Sequence, residues 1–402
     1  MTVDQEPASV SRFRKYLQIK SVHPKPDYES IKNYLIEQAD EIGLEHQVVE
    51  CVEGKPVIII KLAGSDPTQK SILLSSHTDV VPVFEDQWKY PPFAAERAFE
   101  DGEYRIYARG SQDMKAQGFS YMEALRAIKN SGQKLTRNVF AIYAPDEEIG
   151  GADGVGVFSE TKEFEALNAG FDLDEGIGSH ENILWALGAE RLVSAVKFTA
   201  HGNTGHGSQF IEGTAIEKLL PVINAMMALR EEEKNRLETT WSNKEEHQGE
   251  VTSVNLTILE GGKQQNVVPA TYSATFDIRV SPRRNIVEFR KMISDLAEKH
   301  GVECQFLYKE TRNPITEWDS TNPFFSSIES VCKKYGKTII PAICPGATDA
   351  RYVRYKGIPA IGMSPLANLP LLAHAHNEYV TESEYLKAIN FYIDIVTGLA
   401  NV

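Results

Sequence analysis

The chain has 402 residues, 42% hydrophobic and 24% charged, the balance of an ordinary globular protein with room for two domains. Its formal net charge of -14, without any long run of Lys or Arg, argues against a nucleic-acid or anionic-membrane partner, because nothing gathers enough positive charge to neutralise phosphates. MTVDQEPASV lacks the basic and apolar regions of a signal peptide, no window approaches the ~20 apolar residues of a membrane span, and Cys51, Cys304, Cys332 and Cys344 are too scattered for a zinc ribbon or disulfide framework, so a cytoplasmic protein with reduced thiols is expected.

From the start to residue 187, helical and strand-like segments alternate. RFRKYLQI, ESIKNYLIEQADEIG and FSYMEALRAIKNSG read as helices; PVIIIKLAG, KSILLSSH and NVFAIYAP read as strands. This order predicts an α/β sheet with helices on both faces, and the continuous apolar strands agree, since a strand buried on both sides need not alternate. Between 188 and 311 the order becomes β-α-β-β-α-β: RLVSAVKFTAHG, a helix from 214 to 238, VTSVNLTILEGG, TYSATFDIRV, a helix from 285 to 300, and VECQFLY. That is the split βαβ pattern of a ferredoxin-like domain. In its first helix Ile216, Leu219, Leu220 and Ile223 are assigned to the core, Pro221 is expected to bend or restart the helix, and REEEK (230–234) reads as a solvated face. After 311 the first style returns, with a helix from 322 to 335, KGIPAIGM, and a closing helix EYLKAINFYIDIVTGLA. A discontinuous α/β domain (1–187 and 312–402) with an inserted small domain (188–311) is therefore expected.

Acidic and histidine side chains collect at the turns of the larger domain. His77-Thr78-Asp79 follows an apolar strand, and the two-residue spacing lets Asp79 lie beside His77 and orient its ring. Asp113 follows a glycine turn in RGSQDMK, where it could also be a helix cap. PDEEIGG places Asp146, Glu147 and Glu148 together at a strand end, a costly repulsion that a cation would relieve. DLDEG offers Glu175, and HAHNE offers His374 or His376. Together these donors point to a metal site. A serine or cysteine amidase is disfavoured, since there is no G-x-S-x-G elbow and no cysteine beside a histidine.

HTDVVP, RGSQDMK, PDEEIGG, LDEG, GHGS, NVVPA, FDIRV, GATDARY and HAHNE, in this order over nearly the whole chain, resemble the signatures of the dinuclear zinc amidohydrolases and metallopeptidases, a family that includes carnosinase and succinyl-diaminopimelate desuccinylase. HTDVVPVF, ARGSQDMK and VPATYSATFDIRV are most like the members that cleave N-acyl amino acids. The resemblance implies a zinc-peptidase-like three-layer catalytic domain and an inserted lid and dimerisation domain. It further implies two Zn2+ per subunit: one on His77 and Glu175, the other on Glu148 and His374, with Asp113 bridging and Glu147 as general base. His374 is preferred over His376 because the family's last ligand stands four residues before a glutamate, here Glu378. The Asp113–Met114 bond is expected to be cis, and Asp146 to be a solvated or orienting acid. His206 would polarise the scissile carbonyl, in dimeric members that of the partner's site, which implies a homodimer, and Asn266, Arg279, Thr348 and Arg351 would contact substrate; Arg279 could instead be a structural strand-edge arginine. Gly205, Gly346 and Gly362 read as turn residues. The expected reaction is hydrolysis of a small N-acyl-L-amino acid to a carboxylate and a free amino acid. A dipeptidase or carboxypeptidase of the same chemistry, or a non-catalytic binding protein that keeps the fold, are the alternatives.

Overall fold

The computed structural model describes residues 5–244 and 246–402; the first four residues of the amino-terminal stretch read above lie outside it. The chain divides into two compact units, one comprising the residues up to Gly188 with 316–341 and 348–402, the other 189–315 with 342–347.

The first unit opens with α1 (Ala8–Gln18), α2 (Tyr28–Ile42), β1 (Glu45–Val52), β2 (Lys55–Leu62), β3 (Ser71–His77), β4 (Glu96–Glu100), β5 (Glu103–Tyr107), α3 (Lys115–Ser131), β6 (Val139–Ala144), α4 (Lys162–Ala166), β7 (Ala169–Asp174) and β8 (Ile183–Glu190). The second contains β9 (Leu192–Val193), β10 (Val196–His201), β11 (Gly205–His206), α5 (Ala215–Thr240), β12 (Ser253–Gly261), β13 (Val267–Val268), β14 (Thr271–Val280), α6 (Ile286–Lys299) and β15 (Glu303–Phe306). The chain then adds α7 (Pro323–Lys334), β16 (Thr338–Cys344), α8 (Ala350–Tyr355), β17 (Ala360–Gly362), β18 (Tyr379–Thr381) and α9 (Glu382–Leu399).

Eight strands form the main sheet in the order β1-β2-β6-β3-β7-β17-β8-β16. It is mixed: β6, β3, β7 and β17 run parallel, whereas β1 and β2 add antiparallel at one edge and β8 meets β17 antiparallel. The period-two pleat sends Ile58, Ile60, Ile72, Leu74, Val139 and Ala141 into one apolar cluster with residues of α1, α2, α3 and α9, and Val57, Ile59, Leu73, Phe140 and Ile142 into another with Phe158, Phe164 and Val353. Both faces are dry, which is why these strands read as unbroken apolar runs.

A three-stranded sheet, β18-β5-β4, escapes the sequence reading because its strands are short. Its signal is the Asp101-Gly102 pair, both at positive φ, forming the two-residue turn between Glu100 and Glu103.

In the second unit β12-β14-β10-β15 lie side by side, all antiparallel, the order a β-α-β-β-α-β chain takes in a ferredoxin-like sheet. Two details of α5 differ from the sequence reading. The helix continues through Pro221 without restarting. The stripe that packs is Ala215, Leu219, Val222 and Met226, whereas Ile216 and Leu220, one step around the helix, are 36% and 48% exposed. Packing of that stripe on the sheet outweighs the single backbone bond that proline forfeits.

Candidate metal centre

The parallel strands β6, β3 and β7 are neighbours, and each ends at a candidate ligand. His77 is the last residue of β3, Glu147 and Glu148 follow β6 after Pro145, and Glu175 follows β7. Carboxyl ends of adjacent parallel strands form the crevice where open α/β sheets bind ligands, so pairing register alone gathers residues far apart in sequence. Asp113 arrives on the turn before α3, across a cis Asp113–Met114 peptide, and His374 on the loop before β18.

Asp113 stands between the two histidines. Its Oδ1 is 3.1 Å from His77 Nε2 and its Oδ2 is 3.1 Å from His374 Nε2. Glu148 Oε2 lies 3.0 Å from His374 Nε2, and Glu175 Oε2 lies 3.7 Å from His77 Nε2. The donor atoms of His77, Asp113 and Glu148, and of His77, Glu147 and Glu175, fall within 4.8 Å of one another. His376 instead turns its ring edge-on to Phe84 at 6.0 Å.

The electrostatics of this group call for a cation. Burial pushes Glu147 and Glu175 well above the usual carboxylate range; His77 offsets part of this, and the neighbouring carboxylates add to it. Burial also opposes ionisation of Asp113, but hydrogen bonds and charge from His374 and His77 overcome it and hold its carboxyl low. Hydrogen bonds to Asp113 and Glu148 raise His374 to about 10. Glu148 Oε1 is buried without a hydrogen-bond partner, and so are both carboxylate oxygens of Asp349. Two imidazoles among convergent carboxylates form the nitrogen-and-oxygen donor set that zinc and similar divalent ions take, and the cluster is a metal-binding site.

Several residues do something other than the sequence suggests. His77 Nδ1 is 3.0 Å from the backbone oxygen of Asp79 and 3.7 Å from its carboxylate, so the main chain orients the ring. The Asp79 carboxylate instead accepts the backbone N–H groups of Glu147 and Glu148, at 3.2 and 3.1 Å. Asp146 is not solvated: it is 3% exposed, accepts the Tyr28 hydroxyl at 2.6 Å and pairs with Lys55 at 2.6 Å. Gly362 lies within β17 and not in a turn, and a Cβ there would stand 2.1 Å from the Glu175 carbonyl oxygen.

Arg109 had no signal in the sequence, and Glu378, used there only to place the last ligand, is itself a neighbour of the cluster. Glu378 is fully buried, takes Arg109 Nη1 at 2.5 Å, and accepts the backbone N–H groups of Gly110, Gln112 and Asp113 at 3.1, 2.6 and 3.3 Å. Arg109 also donates to the His374 carbonyl at 3.2 Å, tying the loops of two ligands together. Thr348 is buried, and Arg351 donates to the Gly150 carbonyl at 2.6 Å, bracing the turn that carries the two glutamates.

In the second unit His206 is exposed, with Nδ1 2.7 Å from Ser208 Oγ. Asn266 is adjacent, its carbonyl accepting Gly207 N–H at 2.8 Å. Arg279 is gripped by Asp277, two residues back on the same face of β14, at 2.9 and 3.2 Å.

Residues 73–398 match the model of Peptidase family M20/M25/M40. The chain belongs to this family. It is 43% identical to aminoacylase-1A of Rattus norvegicus over 401 residues, covering 99% of this chain and 97% of that one. It is 40% identical to aminoacylase-1 of Dictyostelium discoideum over 407 residues, covering 99% of each. Among solved structures an M20 family metallo-carboxypeptidase of Sulfolobus solfataricus superposes with a TM-score of 0.75 at 20% identity, covering 98% of this chain and all of that one. This M20 protein is a hydrolytic enzyme.

Proposed function

We propose that the chain is a zinc-dependent amidohydrolase that cleaves N-acyl-L-amino acids to a carboxylate and a free L-amino acid. The observation that carries this reading is Asp113, whose two oxygens each face a different histidine at 3.1 Å, as a bridging carboxylate should. His77 and Glu175 would hold one ion, Glu148 and His374 the other. When bound, the ions supply Lewis-acid chemistry, polarising the amide carbonyl and bringing the pKa of a coordinated water to about 7.

Glu147 would take the proton of the attacking water and return it to the leaving nitrogen, a role usually contributing ~10² to 10⁴ in rate. Burial among carboxylates favours its protonated form, and a poorly solvated carboxylate is a stronger base than one in water. His206 would donate to the developing oxyanion, with Asn266 beside it. Arg279, Thr348 and Arg351 are assigned to the substrate's polar ends.

We place the enzyme in the cytoplasm as a homodimer. Cys51, Cys304, Cys332 and Cys344 form no disulfide among the described residues, and no helix among them is long and apolar enough to cross a membrane. On the second unit Ile216, Leu220 and Met227 of α5, and Ile258 and Leu259 on the edge strand β12, are exposed apolar side chains that a second copy would cover.

Turnover of N-acetyl-L-methionine, a long-chain N-acyl amino acid and a dipeptide, before and after chelation with metal content measured, tests the reading. Hydrolysis of the N-acyl substrates that chelation abolishes and zinc restores is expected. Preference for the dipeptide would assign a peptidase of the same chemistry, and no turnover by zinc-loaded protein would leave a binding protein.

A further inference from the structure

A short segment between α1 and α2 makes contacts that the chemistry above does not use. Val80 N donates to Ser21 O at 2.9 Å, His23 N to Val80 O at 3.2 Å, and Val22 bridges Val80 in parallel. Buried Lys115 donates to Ile19 O at 3.0 Å. This register brings His23 Nε2 to 2.8 Å from Asp79 Oδ2. Asp79 is fully buried, and it is the carboxylate that receives the Glu147 and Glu148 N–H groups.

His23, Asp79 and Asp146 also have donor atoms within 4.8 Å of one another, but this is not another metal set. The two carboxylates are met by His23, the Tyr28 hydroxyl, the Lys55 ammonium and two backbone N–H groups, so their charge is compensated without an ion.

The loop after β6 needs an external anchor. Glu147 and Glu148 open a single 3-10 turn, Glu147–Ile149, flanked by Asp146, Gly150 and Gly151 at positive φ, so no continuous strand or long helix sets their direction. Adjacent side chains with different tasks tolerate errors of only about 0.5 Å.

We propose that His23 is a positioning residue. It holds Asp79 in the orientation that receives both N–H groups, and so sets where Glu147 and Glu148 point. The brace comes from residues that precede the matched family region, which begins at residue 73. The proposal rests on reading Glu147 as base and Glu148 as ligand.

His23→Ala removes the donor, whereas His23→Gln keeps an N–H of similar reach. Both variants would be checked for folding by circular dichroism, then measured for kcat and KM on N-acetyl-L-methionine and for zinc affinity against a chromophoric chelator. In His23→Ala, kcat and zinc affinity are each expected to fall about 10- to 100-fold with KM within about 3-fold, and His23→Gln is expected to recover most of both. A folded His23→Ala with wild-type kcat and zinc affinity overturns the proposal. So does a folded His23→Gln that loses more than about 10-fold in both, a comparison that still decides if the alanine variant does not fold. Glu148→Gln is measured alongside: unchanged zinc affinity there would overturn the reading of the site and the proposal with it, while failure at His23 alone overturns only the proposal.

Discussion

Glu378 shows why a residue that ligates nothing can matter as much as one that does. Burial raises its carboxyl to about 7 even though the Arg109 guanidinium offsets part of the rise, and three backbone N–H groups of the Asp113 loop close on it. Arg109→Met would leave that carboxylate buried without its cation. Breaking such a pair from one side costs about 3–5 kcal/mol, so the urea-unfolding midpoint is expected to drop sharply, with zinc affinity falling as the Asp113 and His374 loops loosen. A midpoint within error of the wild type would show the clamp to be dispensable. Donor residue types were legible in HTD, RGSQD, PDEE, LDEG and HAH, and the resemblance implied how they pair, but the contacts that hold each donor in place were not legible. Asp79 illustrates the reason: spacing places it beside His77, yet its carboxylate goes to the backbone of residues almost 70 positions away, a contact set by sheet pairing and not by local geometry.

Among the elements, the central strands were readable because their apolar runs exceed what one buried face requires, whereas the edges were not. β17 has three residues, Ala360–Gly362, and acquires meaning only from its parallel register with β7, Ala360 opposite Asp172 and Gly362 opposite Asp174. That register presses Gly362 against the Glu175 carbonyl and explains a glycine within a strand. Gly362→Ala drives a Cβ into backbone that cannot turn away. A loss of about 1–3 kcal/mol is expected in chemical denaturation, together with weaker zinc binding through displaced Glu175. An alanine variant with unchanged stability and zinc affinity would refute this account of the strand.

For the molecule as a whole, the proposed role of His206 is decided by subunit exchange. If His206 acts in a partner's site, Glu147→Gln and His206→Ala homodimers, each inactive, would regenerate activity when mixed under subunit exchange, since one hybrid site in two is then intact. Hybrids that form without activity would return His206 to its own subunit or to the surface. Composition, the alternating elements and the ordered motifs by themselves determined the α/β class, the split βαβ pattern and the residue types of a metal site, because those depend on local periodicity and side-chain chemistry. The resemblance implied Asp113 as the bridge and His374 over His376, but only the tertiary structure gave the distances that set Asp113 between two histidines, buried Asp146, and brought Arg109 and Glu378 to the ligand loops and His23 to Asp79. Those outcomes follow from strand register and loop crossings between distant segments, which no window of sequence contains.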